Sequence, residues 1–376
     1  MRIAWISYDF EEYSSLHVNE LSAEHDVLLI MPQPEDDAPR YEIDSRVDNY
    51  EFEKPRLRQP IRQLQSLRGI LRKLNDFQPD VVHFQQGHLW FNAVLRFVRK
   101  YPLVMTIHDP RHHSGDVASK KTPQWWMDYG FRQADQVIVH GDALAKQVRE
   151  LFGFSSEQVH SIPHVAMGST GTSGAQASEE NPNRVLFFGR IWDYKGLDQL
   201  IAAEPLISEQ FPDVEIMIAG EGEDFVKYQN MMVNPDRFLI HNSWISDQQR
   251  EEFFQESALV VLPYNEATQS GVVPVAYNYS RPVVATRVGA LAECVEHEKT
   301  GLLVEPRNPE QLADAIVRLL KNPELRQAMG RAGKQRLDQE SSPRVVAAAT
   351  AEVYRKAISA RRETLDTRSV AASASS

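Results

Sequence analysis

Short β-branched runs alternate with stretches of helical period along most of the chain. Runs at 2–7, 26–31, 80–84, 103–108, 136–140 and 159–162 read as strands. Residues 14–24, 61–77 and 142–152 carry apolar side chains at helical spacing. Alternation of this length predicts βαβ units and a parallel, doubly wound sheet. The alternation stops over 167–183, where Gly, Ser, Thr and Ala dominate and almost nothing can fill a core, so this stretch reads as a linker. A second series follows, with strands at 184–188, 214–219, 237–241, 258–262, 281–286 and 302–304 and helices at 308–320, 323–337 and 343–362. The reading is α/β, with two Rossmann-like domains, 1–166 and 184–342, facing a cleft. The helix at 343–362 is expected to cross back to the first domain, and residues 363–376 are expected to form a disordered tail.

Ligands of open α/β sheets bind beyond the carboxyl ends of the strands, so such a cleft offers one domain to each of two substrates. The chain has 376 residues, 42% hydrophobic and 25% charged, a composition that builds cores. Its formal net charge of -11 excludes a general nucleic-acid binder, which needs a dominant basic surface. The lone Cys294 allows no internal disulfide. No apolar stretch approaches the roughly 18 residues of a spanning helix, and residues 1–7 lack the features of a signal peptide. The expectation is a cytoplasmic protein whose membrane contact, if it has one, is peripheral.

Two loops carry the chemistry. In Phe188-Gly189-Arg190-Ile191-Trp192-Asp193-Tyr194-Lys195-Gly196 a strand ends, glycine permits a tight turn, and two cations stand before the next helix. A guanidinium fork and an ammonium point charge together match a diphosphate. If the diphosphate is a leaving group, both stabilise the charge that develops on it. A solvated loop with incidental charges is the plainer reading. In the second loop, Leu262-Pro263-Tyr264-Asn265-Glu266-Ala267-Thr268-Gln269-Ser270-Gly271-Val272, small residues precede a helix expected near Ser270 or Gly271. The unpaired N–H groups there suit an anion, and Glu266 is placed to accept bonds from sugar hydroxyls. An N-capped helix beside an exposed glutamate is again the plainer reading. Two anion-friendly loops after different strands of one domain favour the diphosphate.

Gly189-Arg190 with Lys195-Gly196, then Gly220-Glu221-Gly222, Pro282-Val283-Val284-Ala285-Thr286 and Thr300-Gly301-Leu302-Leu303-Val304 follow one another in an ordered succession. Together they resemble the C-terminal domain of family-4 retaining glycosyltransferases, which have the GT-B fold. Thr106-Ile107-His108-Asp109 resembles the family segment whose histidine approaches the transferred sugar. The resemblance implies that Arg190 and Lys195 hold the donor diphosphate. Gly189, Gln269, Ser270, Gly271 and Val272 would line it, while Glu266 contacts the donor sugar. Glu293 matches a position that often carries glutamate at the donor site. The chain departs from the family in two places. The second glutamate of the usual pair, associated with ribose, is replaced by Pro274 or Val275, so ribose contact falls to backbone groups or Tyr277. The loop after the first strand carries Phe10-Glu11-Glu12-Tyr13 where the family places glycines. The chain resembles a branch with an Ala-Thr-Gln-Ser-Gly-Val loop, here 267–272.

Other features have less specific readings. His83, His88, His108, His112 and His113 crowd the first domain, but none shows the helix-borne spacing of a metal site. No metal or other cofactor is expected, in keeping with the resemblance. Residues 54–75 hold Lys54, Arg56, Arg58, Arg62, Arg68, Arg72 and Lys73 beside an apolar stripe of Ile61, Leu64, Leu67, Leu71 and Leu74. This segment either attaches to anionic lipid or packs its stripe on the sheet. Trp125-Trp126 suits an acceptor sugar or a core equally. The expected activity is retaining transfer from a nucleotide-diphosphate sugar to a hydroxyl of a saccharide or lipid-linked acceptor. A non-catalytic binder of sugar or nucleotide and a sugar-nucleotide epimerase are the alternatives.

Overall fold

The computed structural model describes residues 1–34, 41–112, 122–168, 179–222 and 224–374. Most of the expected linker, and His113, lie outside the described residues. The first domain runs β1 (Arg2–Ile6), α1 (Glu11–Leu21), β2 (Asp26–Pro32), β3 (Asp48–Phe52), α2 (Pro60–Phe77), β4 (Val81–Gln85), α3 (Leu95–Val98), β5 (Leu103–Thr106), α4 (Gln124–Phe131), β6 (Gln136–Val139), α5 (Asp142–Phe152) and β7 (Val159–Ser161). Its seven strands form one sheet in the order β3-β2-β1-β4-β5-β6-β7, parallel throughout.

The second domain begins with β8 (Arg184–Phe188), α6 (Leu197–Gln210), β9 (Glu215–Ala219), α7 (Val226–Gln229), β10 (Phe238–His241) and α8 (Asp247–Glu256). It continues with β11 (Leu259–Leu262), α9 (Val272–Asn278), β12 (Val283–Thr286), α10 (Leu291–Cys294), β13 (Gly301–Val304), α11 (Pro309–Leu320) and α12 (Pro323–Glu340). Its six strands are ordered β10-β9-β8-β11-β12-β13, again parallel. In each sheet the order reverses beside the first strand, which opens a crevice at the carboxyl ends of β1 and β4 and of β8 and β11.

Interior strands such as β4, β5, β11 and β12 are buried along their whole length, as a sheet covered on both faces requires. Strand β3 escaped the sequence reading because it lies at an edge. Its residues Asp48-Asn49-Tyr50-Glu51-Phe52 bury only the last side chain, so no apolar run marks it. Helices α11 and α12 announce themselves with the same device. Asn308 and Asn322 each accept a bond from a backbone N–H of the first turn, and Pro309 and Pro323 follow at the first helical position.

The final helix, α13 (Pro343–Ala374), returns to the first domain. Val346, Ala347, Ala351, Tyr354 and Ala357 complete a cluster with Ile3, Trp5, Val18 and Val27. The Tyr354 hydroxyl shares a 2.6 Å hydrogen bond with His83 Nδ1. The helix runs on to Ala374, past the start expected for the tail at 363. Once a docked segment has nucleated the helix, each added residue contributes a bond, and Ala has the best propensity for extending it. Among the described residues no helix is long and apolar enough to cross a membrane.

Candidate functional site

The loop between β8 and α6 is built on glycines in backbone conformations that a side chain would obstruct. Gly196 has φ 68°, and a Cβ there would meet Pro263 O at 2.0 Å. Gly189 has φ 109°, and a Cβ would fall 2.8 Å from Lys195 Nζ. That space lets Lys195 lie against the loop, only 9% exposed. Its ammonium donates to Tyr264 Oη at 3.1 Å and sits 5.1 Å from the Tyr264 ring centroid. Arg190 is exposed, with its guanidinium 4.9 Å from the Trp192 ring centroid. Among the described residues neither cation has a carboxylate partner, although Lys195 is nearly buried. A buried ammonium facing only a phenol and a ring leaves its charge available to an anion.

The second loop adjoins the first. A Cβ on Gly189 would lie 3.9 Å from Val272 Cγ2. Helix α9 starts at Val272, slightly later than expected, and its seven residues carry little macrodipole. Its contribution to an anion is therefore the backbone N–H groups of the turn, with Val272 N already 3.3 Å from Ser270 Oγ. Gln269 Oε1 is buried without a protein partner. Glu266 is exposed. The Thr286 hydroxyl donates to Tyr264 O at 2.6 Å, tying this loop to β12. The structure thus brings Gly189, Lys195 and Val272 side by side, with Arg190 on the same loop.

His108 follows β5 and closes the first-domain wall. Its backbone N–H donates to Gln86 Oε1 at 2.9 Å, and its Nε2 lies 3.0 Å from Gln85 Oε1. Phe10 stacks on the ring at 4.2 Å between centroids, from a backbone with φ 65°. Burial, then the neighbouring His140 and His164, pushes the His108 imidazole well below its usual pKa and keeps it neutral. The Thr268 hydroxyl donates to Asp109 Oδ1, so the segment after His108 touches the second domain beside Gln269.

Other expected residues lie elsewhere. Glu293 accepts from Asp142 N at 2.6 Å and Ala143 N at 2.7 Å, capping α5 of the opposite domain. The short helix α10 carries it across, and Gly141 opposite has no room for a Cβ, which would meet Ala290 Cβ at 2.4 Å. Tyr277, offered as a ribose contact, is buried, and its hydroxyl lies 2.6 Å from Thr300 Oγ1. Of the α2 stripe, Leu67 and Leu74 are buried, Leu71 is half-buried, and Ile61 and Leu64 are exposed, while Ile70 turns inward beside them. Trp126 donates to Leu89 O at 2.6 Å, whereas Trp125 is exposed.

The sequence reading missed three groups. His140 and His164 converge on His108 from neighbouring strand ends. Each is the polar residue closing or following an apolar strand, a signal that helix spacing does not test. Glu12 bonds Arg250 across the cleft at 2.9 Å and accepts from Gly168 N at 2.7 Å. It lies on α1, whose buried face includes Glu12, Ser14, Ser15 and His17 and so shows weak apolar periodicity.

Residues 182–322 match the family model described as glycosyl transferases group 1, and residues 14–165 match glycosyltransferase family 4. Glycogen synthase from Mycobacterium tuberculosis is 28% identical over 303 residues, covering 76% of this chain and 71% of that one. Sucrose-phosphate synthase from Thermosynechococcus elongatus has a similar structure, with a TM-score of 0.71 at 18% identity over 96% of this chain and 100% of the other. HepE from Anabaena, solved in complex with UDP-glucose, gives 0.64 at 16% identity over 98% and 100%. The two models cover the two sheets in turn, and the same two-domain architecture recurs in the solved structures, so this chain is a glycosyltransferase of the GT-B fold and of the family-4 type.

Proposed function

We propose that the chain moves a sugar, with retention of anomeric configuration, from a nucleoside diphosphate sugar to a hydroxyl of a saccharide or lipid-linked acceptor. The observation that carries this reading is the nearly buried Lys195 ammonium, without a carboxylate partner among the described residues, beside Gly189 and Val272. A related fold binds UDP-glucose, which fits a diphosphate at this loop. The donor lies on the second domain and the acceptor on the first.

In this reading the acceptor oxygen attacks the anomeric carbon from the face that the phosphate leaves. The bond from that carbon to the phosphate oxygen breaks, the new glycosidic bond forms, and the acceptor proton passes to the departing phosphate. Arg190, Lys195 and the backbone N–H groups of Ser270, Gly271 and Val272 stabilise the charge on the diphosphate, with no metal ion required there. Glu266 and Gln269 accept bonds from donor hydroxyls, and the neutral His108 faces the transferred sugar. A donor role for Glu293 requires it to leave α5. A lipid-linked acceptor gains support from Ile61 and Leu64, 72% and 49% exposed at the start of α2 among its arginines.

The test is a thermal-shift titration with UDP, GDP, ADP and their sugars, followed by product analysis by NMR. A ligand at a hundred times its Kd stabilises the fold by about 2.7 kcal/mol. The expected result is one preferred base, a shift lost in R190A and K195A, and a product that keeps the donor's anomeric configuration. No shift from folded protein, turnover without acceptor, or an inverted product would each overturn the reading.

A further inference from the structure

His108 Nδ1 is buried without a protein partner, and it belongs to a second constellation. His108 follows β5, His140 follows β6 and His164 follows β7, three neighbouring strands of one sheet. One ring nitrogen of each lies within 4.8 Å of the others. Hydrogen bonds show which nitrogen of each ring is free to bind a cation. His108 Nε2 lies 3.0 Å from Gln85 Oε1, His140 Nδ1 lies 2.9 Å from Ile162 O, and His164 Nδ1 lies 3.0 Å from Val165 O. Amide and carbonyl oxygens only accept, so each of these ring nitrogens carries the proton. The lone pairs therefore sit on His108 Nδ1, His140 Nε2 and His164 Nε2.

The first two of these atoms are buried and have no protein partner. The rings are close, 5.1 Å between His108 and His140 and 4.9 Å between His140 and His164. Tyr13 packs edgewise on all three, at 5.4, 5.5 and 5.2 Å, and gives them a common wall. Burial holds all three neutral, the form in which imidazole binds metal. Buried acceptors without a donor are unfavourable in the bare protein, and one cation held by neighbouring rings satisfies them together. Each proton-bearing nitrogen already has the oxygen partner that orients a metal-bound imidazole.

We propose that His108, His140 and His164 form a three-imidazole site for a divalent transition ion, with zinc the best fit to the ligand type. A zinc–nitrogen distance of about 2.1 Å in tetrahedral geometry needs nitrogens about 3.4 Å apart, so metal binding draws together atoms that now lie within 4.8 Å. Three protein ligands leave a fourth position for water or a sugar hydroxyl. The site shares His108 with the donor reading but none of the diphosphate-binding groups, so loss of metal binding and loss of the nucleotide-induced thermal shift are read separately.

The test uses the full chain, free of any affinity tag and stripped with chelator. Zinc is titrated against a chromophoric chelator, and cobalt by its visible absorption. The expected result is one ion per chain, with cobalt bands of tetrahedral intensity. Affinity falls by more than about 100-fold in H140A and H164A, and by about 10- to 100-fold in Q85A, which removes the oxygen orienting His108. The exposed His297 is the control, and H297Q binds as the unaltered chain does. Thermal melts of the stripped variants establish that they fold, and H140Q and H164Q replace any alanine variant that does not. Absence of binding by the folded chain overturns the proposal. Binding that stays within tenfold in both His140 and His164 variants also overturns it.

Discussion

Lys195 and His88 show how much burial decides about a single side chain. Lys195 occupies a slot bounded by the absent Cβ of Gly189 and the Tyr264 hydroxyl. Lys195→Ala removes the buried charge and is expected to lower kcat by about 100- to 1,000-fold in a steady-state transferase assay. Lys195→Arg keeps the charge but has no room for a guanidinium, so it is expected not to rescue. His88 stacks on Tyr8 at 3.7 Å, and its Nδ1 accepts from Phe91 N at 3.4 Å. Burial, with Lys54 adding to it, pushes its pKa from 6.5 down to about 3. The unfolded chain therefore binds the proton more readily, and stability is fully present above about pH 6.5 and declines below it. The expected loss from this group is about 2 kcal/mol between pH 7 and pH 5. Denaturant melts of H88F at both pH values check this, because the variant keeps the stacking and loses that part of the slope. An equal slope in both proteins would refute it.

Turns and short helices hold the site together, and here the sequence was informative to different degrees. Gly189, Arg190, Lys195 and Gly196 were legible because one loop carries them in a fixed local order. Gly196→Ala puts a Cβ against Pro263 O at a positive φ, with no flexible side chain to give way. It is expected to destabilise the second domain by about 2 kcal/mol or more and to abolish the nucleotide-induced thermal shift. Interior strands were legible as apolar runs, and α11 and α12 through their Asn-Pro starts. Strand β3 was not, since an edge strand with one dry residue reads as a loop. His140 and His164 were missed because they meet His108 only when three strands lie side by side, and a linear spacing rule cannot express that. Glu293 was assigned to the donor because its position matched a motif, whereas its partners are backbone groups of α5.

Across the cleft the two domains are joined by polar contacts rather than a continuous core. Glu293 caps α5, Thr268 meets Asp109, Tyr41 donates to Asp247 Oδ2 at 2.8 Å, and Glu12 bonds Arg250. Domain interfaces of this polar kind open readily, so these contacts set the balance between closed and open forms. The double variant E12Q/E293Q is expected to raise the radius of gyration in small-angle scattering while leaving each domain folded. An unchanged radius would mean that other contacts hold the cleft shut. Helix α13 behaves differently, because it supplies apolar side chains to the sheet of the first domain. That has a consequence for biosynthesis. The first domain lacks one of its own walls until α13, which follows the whole second domain, has been added. Ile3, Trp5 and Val27 must wait, partly uncovered, while the whole second domain is made. The first domain is thus finished only after the second has been made, and a chain cut short before Pro343 leaves it a substrate for chaperones and proteases.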